Sequence, residues 1–181
     1  WLRRRLIPVI SEMIATEKLG TNRVRALMPK LNMFGESKQL GHYYRPSPDG
    51  ERILLGGRRM HKRDNFAKQR LHVGLTDIFP DLEDTKIDAY WRGFVAFPFD
   101  QLPKLAVHKG IIYPSGFCGS GTVWARWLGQ KAAFMILGEA AESAFKNLPM
   151  MTLPLYSGDP WFLPLAMSYY RLRDRFSVST K

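Results

Sequence analysis

Cysteine is almost absent from this 181-residue sequence, and the single Cys118 excludes an internal disulfide framework and a Cys-rich zinc module. That usage suits a reducing, cytosolic setting. Long apolar runs are missing as well. Nothing approaches the roughly 18 consecutive apolar residues of a membrane span, and Ile7-Pro8-Val9-Ile10, broken by Pro8, is too short for a secretory core segment. Acidic residues are scarce beside basic ones, 16 against 27, which leaves a formal charge of +11. The four histidines lie far apart, without a second ligand at helical or strand spacing, so no metal site is expected. No internal repeat or low-complexity tract occurs. Wholesale disorder is excluded by a composition that is 45% apolar and 13% aromatic. The length is that of about one domain. Opening on Trp1 without a secretory signal, the chain reads as a piece of a longer protein.

The elements suggest a mixed α+β architecture with substantial antiparallel sheet. Ile7 to Glu17 is compatible with a strand and nearly as well with a helix, since short apolar runs permit both. His42-Tyr43-Tyr44-Arg45, then Pro46-Ser47-Pro48-Asp49-Gly50, then Arg52 to Gly57 predict a strand–turn–strand hairpin. Asn65 to Phe79 has helical spacing, with Asp64 or Asn65 as N-cap and Pro80 closing it. Lys86 to Phe99, rich in Tyr, Trp, Phe and Val, predicts a long strand. Gly110 to Tyr113 starts another strand, Thr122 opens a helix that ends near Gly138, and a short helix is expected from Leu165 to Phe176.

The most informative stretch is Gly116-Phe117-Cys118-Gly119-Ser120-Gly121, between that strand and that helix. Its glycines let a backbone approach a flat or anionic ligand without interference from a Cβ, and the helix start favours negative charge. The G-x-x-G-x-G spacing is neither a dinucleotide fingerprint nor a P-loop, and a plain strand-to-helix turn would use the same residues. Ser120 lacks the G-x-S-x-G context of a nucleophile elbow, because Cys118 stands where glycine is needed. Basic clusters at Arg3-Arg4-Arg5, at Arg58-Arg59 through His61-Lys62-Arg63, and at Arg171, Arg173 and Arg175 are dispersed and interrupted by acids. They read as solvated faces or partner contacts, and no nucleic-acid partner is expected. Asp100 at a strand end suits a turn cap or a functional carboxylate, and Tyr90 and Trp91 suit a core or a pocket wall.

The order of motifs carries a resemblance: Tyr43-Tyr44-Arg45-Pro46-Ser47-Pro48-Asp49-Gly50, Leu54-Leu55-Gly56-Gly57-Arg58, Phe79-Pro80-Asp81-Leu82, Trp91 with Gly93, Phe99-Asp100-Gln101-Leu102-Pro103, and the glycine stretch from Gly116 to Gly121. It resembles the C-terminal half of the FAD-dependent oxidoreductases of the D-amino-acid oxidase and glycine/sarcosine oxidase superfamily, in the branch containing gamma-glutamylputrescine oxidase. The resemblance implies a substrate-type sheet domain over residues 1–109. Residues 110–138 become a strand–glycine loop–helix returning to an FAD domain whose N-terminal part is absent, and 139–181 a C-terminal extension with a terminal helix. It implies that Gly116, Phe117, Cys118, Gly119, Ser120, Gly121 and Thr122 face the flavin, and that Tyr44, Arg45, Trp91, Val95 and Asp100 belong to the substrate pocket.

The implied chemistry is hydride transfer from the carbon of a C–N bond to flavin, in an amine or amino acid, so that no protein acid or base is demanded. The cofactor is FAD and the partners are a small amine or amino-acid substrate and the missing N-terminal segment. No G-x-G-x-x-G element is present, so this chain alone is not expected to be active. Val95 stands where the family's amino-acid oxidases place a carboxylate-gripping arginine, and Arg92, three residues earlier on a strand, points to the opposite face. That departure favours an amine or polyamine-like substrate. Ser120 replaces a histidine common in the family's loop, and Cys118 is not where sarcosine oxidases attach flavin. The alternative from another class is a truncated subunit or basic interaction module without flavin.

Overall fold

The computed structural model describes residues 1–58 and 66–178. In chain order the elements are β1 (Leu6–Thr16), α1 (Thr21–Leu27), β2 (Phe34–Gly35), β3 (Tyr43–Pro46), β4 (Ile53–Arg58), α2 (Ala67–Ile78), β5 (Ile87–Pro98), β6 (Lys104–His108), β7 (Ile111–Ser115), α3 (Gly121–Ile136) and α4 (Leu163–Val178), with 3-10 turns at Leu2–Arg4 and Pro80–Leu82. The fold is mixed α+β. One sheet has strand order β2-β3-β4-β1-β5, and β6 and β7 form a second, two-stranded sheet. The chain divides into two compact units, residues 1–9 with 94–161, and residues 10–93 with 162–181.

The second unit is organised by the expected hairpin. β3 and β4 pair antiparallel with Tyr43 opposite Gly56 and Tyr44 opposite Leu55, and β4 continues the register onto β1 with Met13 opposite Gly56 and Ile14 opposite Leu55. The turn between β3 and β4 closes with Gly50 N–H donating to Ser47 O at 2.9 Å, and the Ser47 hydroxyl donates to the Asp49 carboxylate. Side chains alternate across a strand. The row Tyr44–Leu55–Ile14 therefore lies on the side packed by the helices, where Ile14, Val24, Met28, Ile53, Leu55, Leu71, Leu75, Phe79 and Leu82 form one buried cluster. The segment at Ile7 to Glu17 is a strand, the extended alternative of its two readings. It has strand partners on both sides within the sheet, which take up its main-chain donors and acceptors. Helix α2 falls within the expected span and ends before Pro80, whereas the N-cap assigned to Asp64 or Asn65 lies outside the described residues.

In the first unit, β6 and β7 form a hairpin with His108 opposite Ile111 and Lys104 opposite Ser115. β6 carries little sequence signal of its own, being only five residues long. Leu105 of β6 and Leu128 and Ala132 of α3 make a small core, flanked by Ile112, Phe117, Trp127, Met135 and Phe145. Trp124 and Trp127 both meet the Phe145 ring edge-on, at 5.0 and 6.0 Å. Tyr156 is buried and its hydroxyl donates to Leu6 O at 2.6 Å, tying the tail of this unit to its first strand residues.

Candidate functional site

The loop between β7 and α3 turns on backbone geometry rather than on side chains. Gly116 (φ +71°), Cys118 (φ +53°) and Gly119 (φ +96°) all adopt left-handed conformations, so the chain reverses within five residues. Gly116 has no alternative: a Cβ there would run into the Pro98 ring and reach Leu6 Cδ2 at 3.5 Å. Gly119 is different, since a Cβ would meet only Val95 Cγ1, at an ordinary 3.9 Å. Cys118 N–H donates to Ala96 O at 3.3 Å, which pins the loop alongside β5. The Cys118 thiol donates toward the carbonyls of Gln101 (3.5 Å) and Gly116 (3.4 Å).

The helix that follows starts without neutralisation. Ser120 precedes its first residue but makes no side-chain cap, and the first turn holds no acid. The Val123 and Trp124 N–H groups donate to Ser120 O at 3.2 and 3.1 Å, which leaves the Gly121 and Thr122 amides and the positive end of the dipole of this 16-residue helix beside exposed Gly119, Ser120 and Thr122. Such a surface can receive the electron-rich edge of a planar ring system through main-chain donors. The residues expected to face a flavin thus fit that group. Phe117 is the exception in direction, because it packs into the core of Leu105 and Leu128.

Of the residues assigned to a substrate pocket, Val95 and Asp100 lie in the unit that carries the loop, whereas Tyr44, Arg45 and Trp91 lie in the other. Val95 stands against Gly119. Asp100 is engaged: it accepts from the buried Lys104 ammonium and, at 3.1 Å, from Leu102 N–H. Partial burial pushes its pKa up, but the Lys104 and Leu102 donors outweigh that and hold it below the ordinary aspartate value. It caps the turn after β5.

Tyr44 stacks on Phe34 at 5.5 Å and meets Phe79 edge-on at 5.4 Å, so it belongs to the helix-side core of its unit. Arg45 is exposed and donates to Pro46 O at 3.4 Å. Trp91 is exposed on β5. Sequence reasoning missed Tyr43. Its ring lies across Gly56, where a Cβ would clash with it, and its hydroxyl sits 2.6 Å from Ser11 Oγ on the sheet face opposite Tyr44. The signal was available in the strand period: neighbouring tyrosines on one strand face opposite ways, and a glycine across the register leaves room for only one of them.

Among the described residues no group of histidine, cysteine and carboxylate side chains is arranged to hold a metal ion, and no helix is long and apolar enough to cross a membrane.

No protein-family model matches the chain. Its sequence is 31% identical over 183 residues to gamma-glutamylputrescine oxidoreductase of Escherichia coli K12, an alignment covering 98% of this chain and 42% of that protein. It is 32% identical over 157 residues to the probable oxidoreductase OrdL of Rhizobium meliloti, covering 83% of this chain and 36% of the relative. Among solved structures, glycine oxidase from Geobacillus kaustophilus superposes with a TM-score of 0.60 at 19% identity, over 83% of this chain and 40% of that one. L-proline dehydrogenase from P. horikoshii gives 0.60 at 17% identity, over 90% and 41%. The chain therefore spans about two-fifths of the length of the proteins it matches. The chain is homologous to the gamma-glutamylputrescine and OrdL oxidoreductases over that part of their length, and it is folded like glycine oxidase.

Proposed function

We propose that this chain is part of an FAD-dependent oxidoreductase that oxidises a C–N bond of a small amine, and that it supplies the flavin-facing glycine loop and part of the substrate chamber. The observation that carries the reading is the 31% identity to gamma-glutamylputrescine oxidoreductase across 98% of the chain. When bound, FAD supplies the hydride acceptor for oxidation of the carbon bearing nitrogen. The contribution of this chain is placement and charge. Gly119, Gly121 and Thr122 present main-chain donors and the positive end of α3, which favour negative charge at the ring edge they face, while the Ser120 N–H is spent on Phe117 O at 2.9 Å. Gly116 fixes the path of the loop against Pro98, and Asp100 with Lys104 holds the turn whose Gln101 carbonyl meets Cys118.

Val95, beside Gly119, offers an apolar surface where an arginine would grip a carboxylate. An amine substrate suits that surface better than a simple amino acid, because a carboxylate buried there would lack a partner. In this reading residues 1–109 serve the substrate domain, 110–138 return to the FAD domain, and 139–181 extend it.

The test is the complete protein that contains this chain. Purified in folded form, it should carry a yellow flavin spectrum that bleaches without oxygen when a primary or secondary amine is added. A folded complete protein free of flavin would overturn the reading. Bleaching by simple amino acids but by no amine would overturn the substrate class.

A further inference from the structure

Two of the basic clusters that the proposed oxidoreductase role leaves unused meet in three dimensions. A cavity of about 500 Å³ in the unit of residues 10–93 and 162–181 is lined by Arg58 and Arg70 from the first half of the chain and by Arg171 and Arg175 from α4. Lys38 adds a fifth cation, and among the described lining residues Asp77 and Asp174 are the acids that oppose them.

The neighbours of these charges decide which remain available to a ligand. Arg70 donates to the buried Glu12 at 2.8 Å, and Arg58 donates to Gln39 O at 3.0 Å. Lys38 is paired with Glu36 at 3.1 Å. Asp174 accepts from the amides of Gln39 and Leu40 at 2.9 and 3.0 Å, so its carboxylate is already used to fasten α4 to the 36–42 loop. Arg171 and Arg175 form no ion pair among the described residues. They stand one helical turn apart, on the same face of α4, and both reach the cavity. Two guanidinium groups so placed match the oxygens of a phosphate, which each can take through paired N–H donors. The lining also includes Leu40, Leu71, Val73 and Gly74, which offer apolar surface to a carbon-bearing remainder.

We propose that this cavity binds a small phosphate-bearing molecule, with its phosphate taken by Arg171 and Arg175 and its organic part lying against Leu40, Leu71 and Val73. The cavity's size suits a metabolite or nucleotide rather than a protein segment. It is built from residues of one unit only and does not include the glycine loop.

The probe is pyrophosphate, titrated calorimetrically into the complete protein at fixed ionic strength, with sodium chloride and a poly-glutamate peptide as comparison ligands. Pyrophosphate should bind one site per chain. Arg171→Gln/Arg175→Gln should weaken it about tenfold or more, as expected for lost charge-assisted hydrogen bonds. Lys30→Gln/Lys68→Gln, which removes two exposed charges outside the cavity, should leave it unchanged. The inference is overturned if pyrophosphate does not bind, if both double variants weaken it equally, or if poly-glutamate binds more tightly than pyrophosphate. The variants are compared at equal flavin content, so a failure here is distinguishable from a failure of the proposed oxidation.

Discussion

Glu12 Oε2 accepts a hydrogen bond from Arg70 Nη2 at 2.8 Å, with Glu12 wholly buried and Arg70 one-third exposed. Tyr90 donates to the other oxygen at 2.7 Å, so a carboxylate in the middle of β1 is held from α2 on one side and from β5 on the other. A buried charge is tolerated only when such partners replace its water. Removing the cation should therefore cost more than neutralising the anion. Arg70→Met is expected to destabilise the protein by about 2–4 kcal/mol, somewhat below a fully buried pair because Arg70 is partly solvated. Glu12→Gln, which keeps the shape and an acceptor oxygen, should cost about 1–2 kcal/mol. Melting of the two variants decides it, and a larger loss for Glu12→Gln would contradict the assignment.

His42 occupies a slot that exists only because two neighbours lack side chains. A Cβ at Gly74 would stand 2.6 Å from the imidazole, and one at Gly57 3.3 Å from it. Gly74 lies inside α2, where alanine would otherwise be preferred by about 1 kcal/mol. Gly74→Ala should thus destabilise the protein in the presence of His42 and become neutral or stabilising once His42→Ala has emptied the slot. The double-mutant cycle measures this as a favourable coupling of about 1 kcal/mol or more. Additive effects of the two substitutions would show that the ring and the glycine do not compete for the same space.

The legibility of this fold tracks how local each signal is. The hairpin of β3 and β4 was readable because two prolines and Asp49-Gly50 fix the turn, and β5 because Tyr, Trp, Phe and Val crowd one stretch. Helix α1 has no readable pattern: of its seven residues Thr21, Asn22, Arg23 and Arg25 are polar or basic, and it is stabilised by burying Val24, with Met28 just past its end. The loop from Gly116 to Gly121 was legible as an element, but the reason for Gly116 was not. That reason is Pro98, eighteen positions earlier and invisible to any window. The register places Tyr43 and Tyr44 on opposite faces of the sheet, and that register depends on which strand pairs with which, not on the residues of β3 alone. The meeting of Arg58 with Arg171 and Arg175 depends wholly on tertiary packing of α4.

The glycine loop separates a space requirement from a conformational one. Gly116→Ala must both hold φ at +71° and displace Pro98, whereas Gly119→Ala keeps φ at +96° but has room beside Val95. The first should lower stability by several kcal/mol, about 1–3 from strained backbone and the rest from overpacking. The second should cost only the backbone share in stability. It also places a methyl group on the outward face of the loop, so flavin content of the complete protein should fall more than its melting temperature does. Parallel melts and flavin-to-protein absorbance ratios test the contrast. Equal stability loss from both substitutions would sink the role given to Pro98.

The pair of Asp100 and Lys104 sets an expected pH dependence. Lys104 is almost entirely buried, and Asp100 is its carboxylate partner. Because the folded-state pKa of Asp100 lies below its ordinary value, this group binds its proton more readily in the unfolded chain. Its stabilisation is therefore complete above the unfolded value and disappears as the pH falls through the lower, folded one. Asp100→Asn removes the counter-charge while Lys104 stays buried, so at neutral pH it should cost about 2–3 kcal/mol, discounted for the partial exposure of Asp100. Below about pH 4 the unsubstituted protein begins to lose the same contribution. The melting curves of the two proteins should accordingly converge on acidification. A gap between them that stays constant from neutral pH down into that acid range would show that Asp100 contributes by shape or by capping Leu102, not by its charge on Lys104.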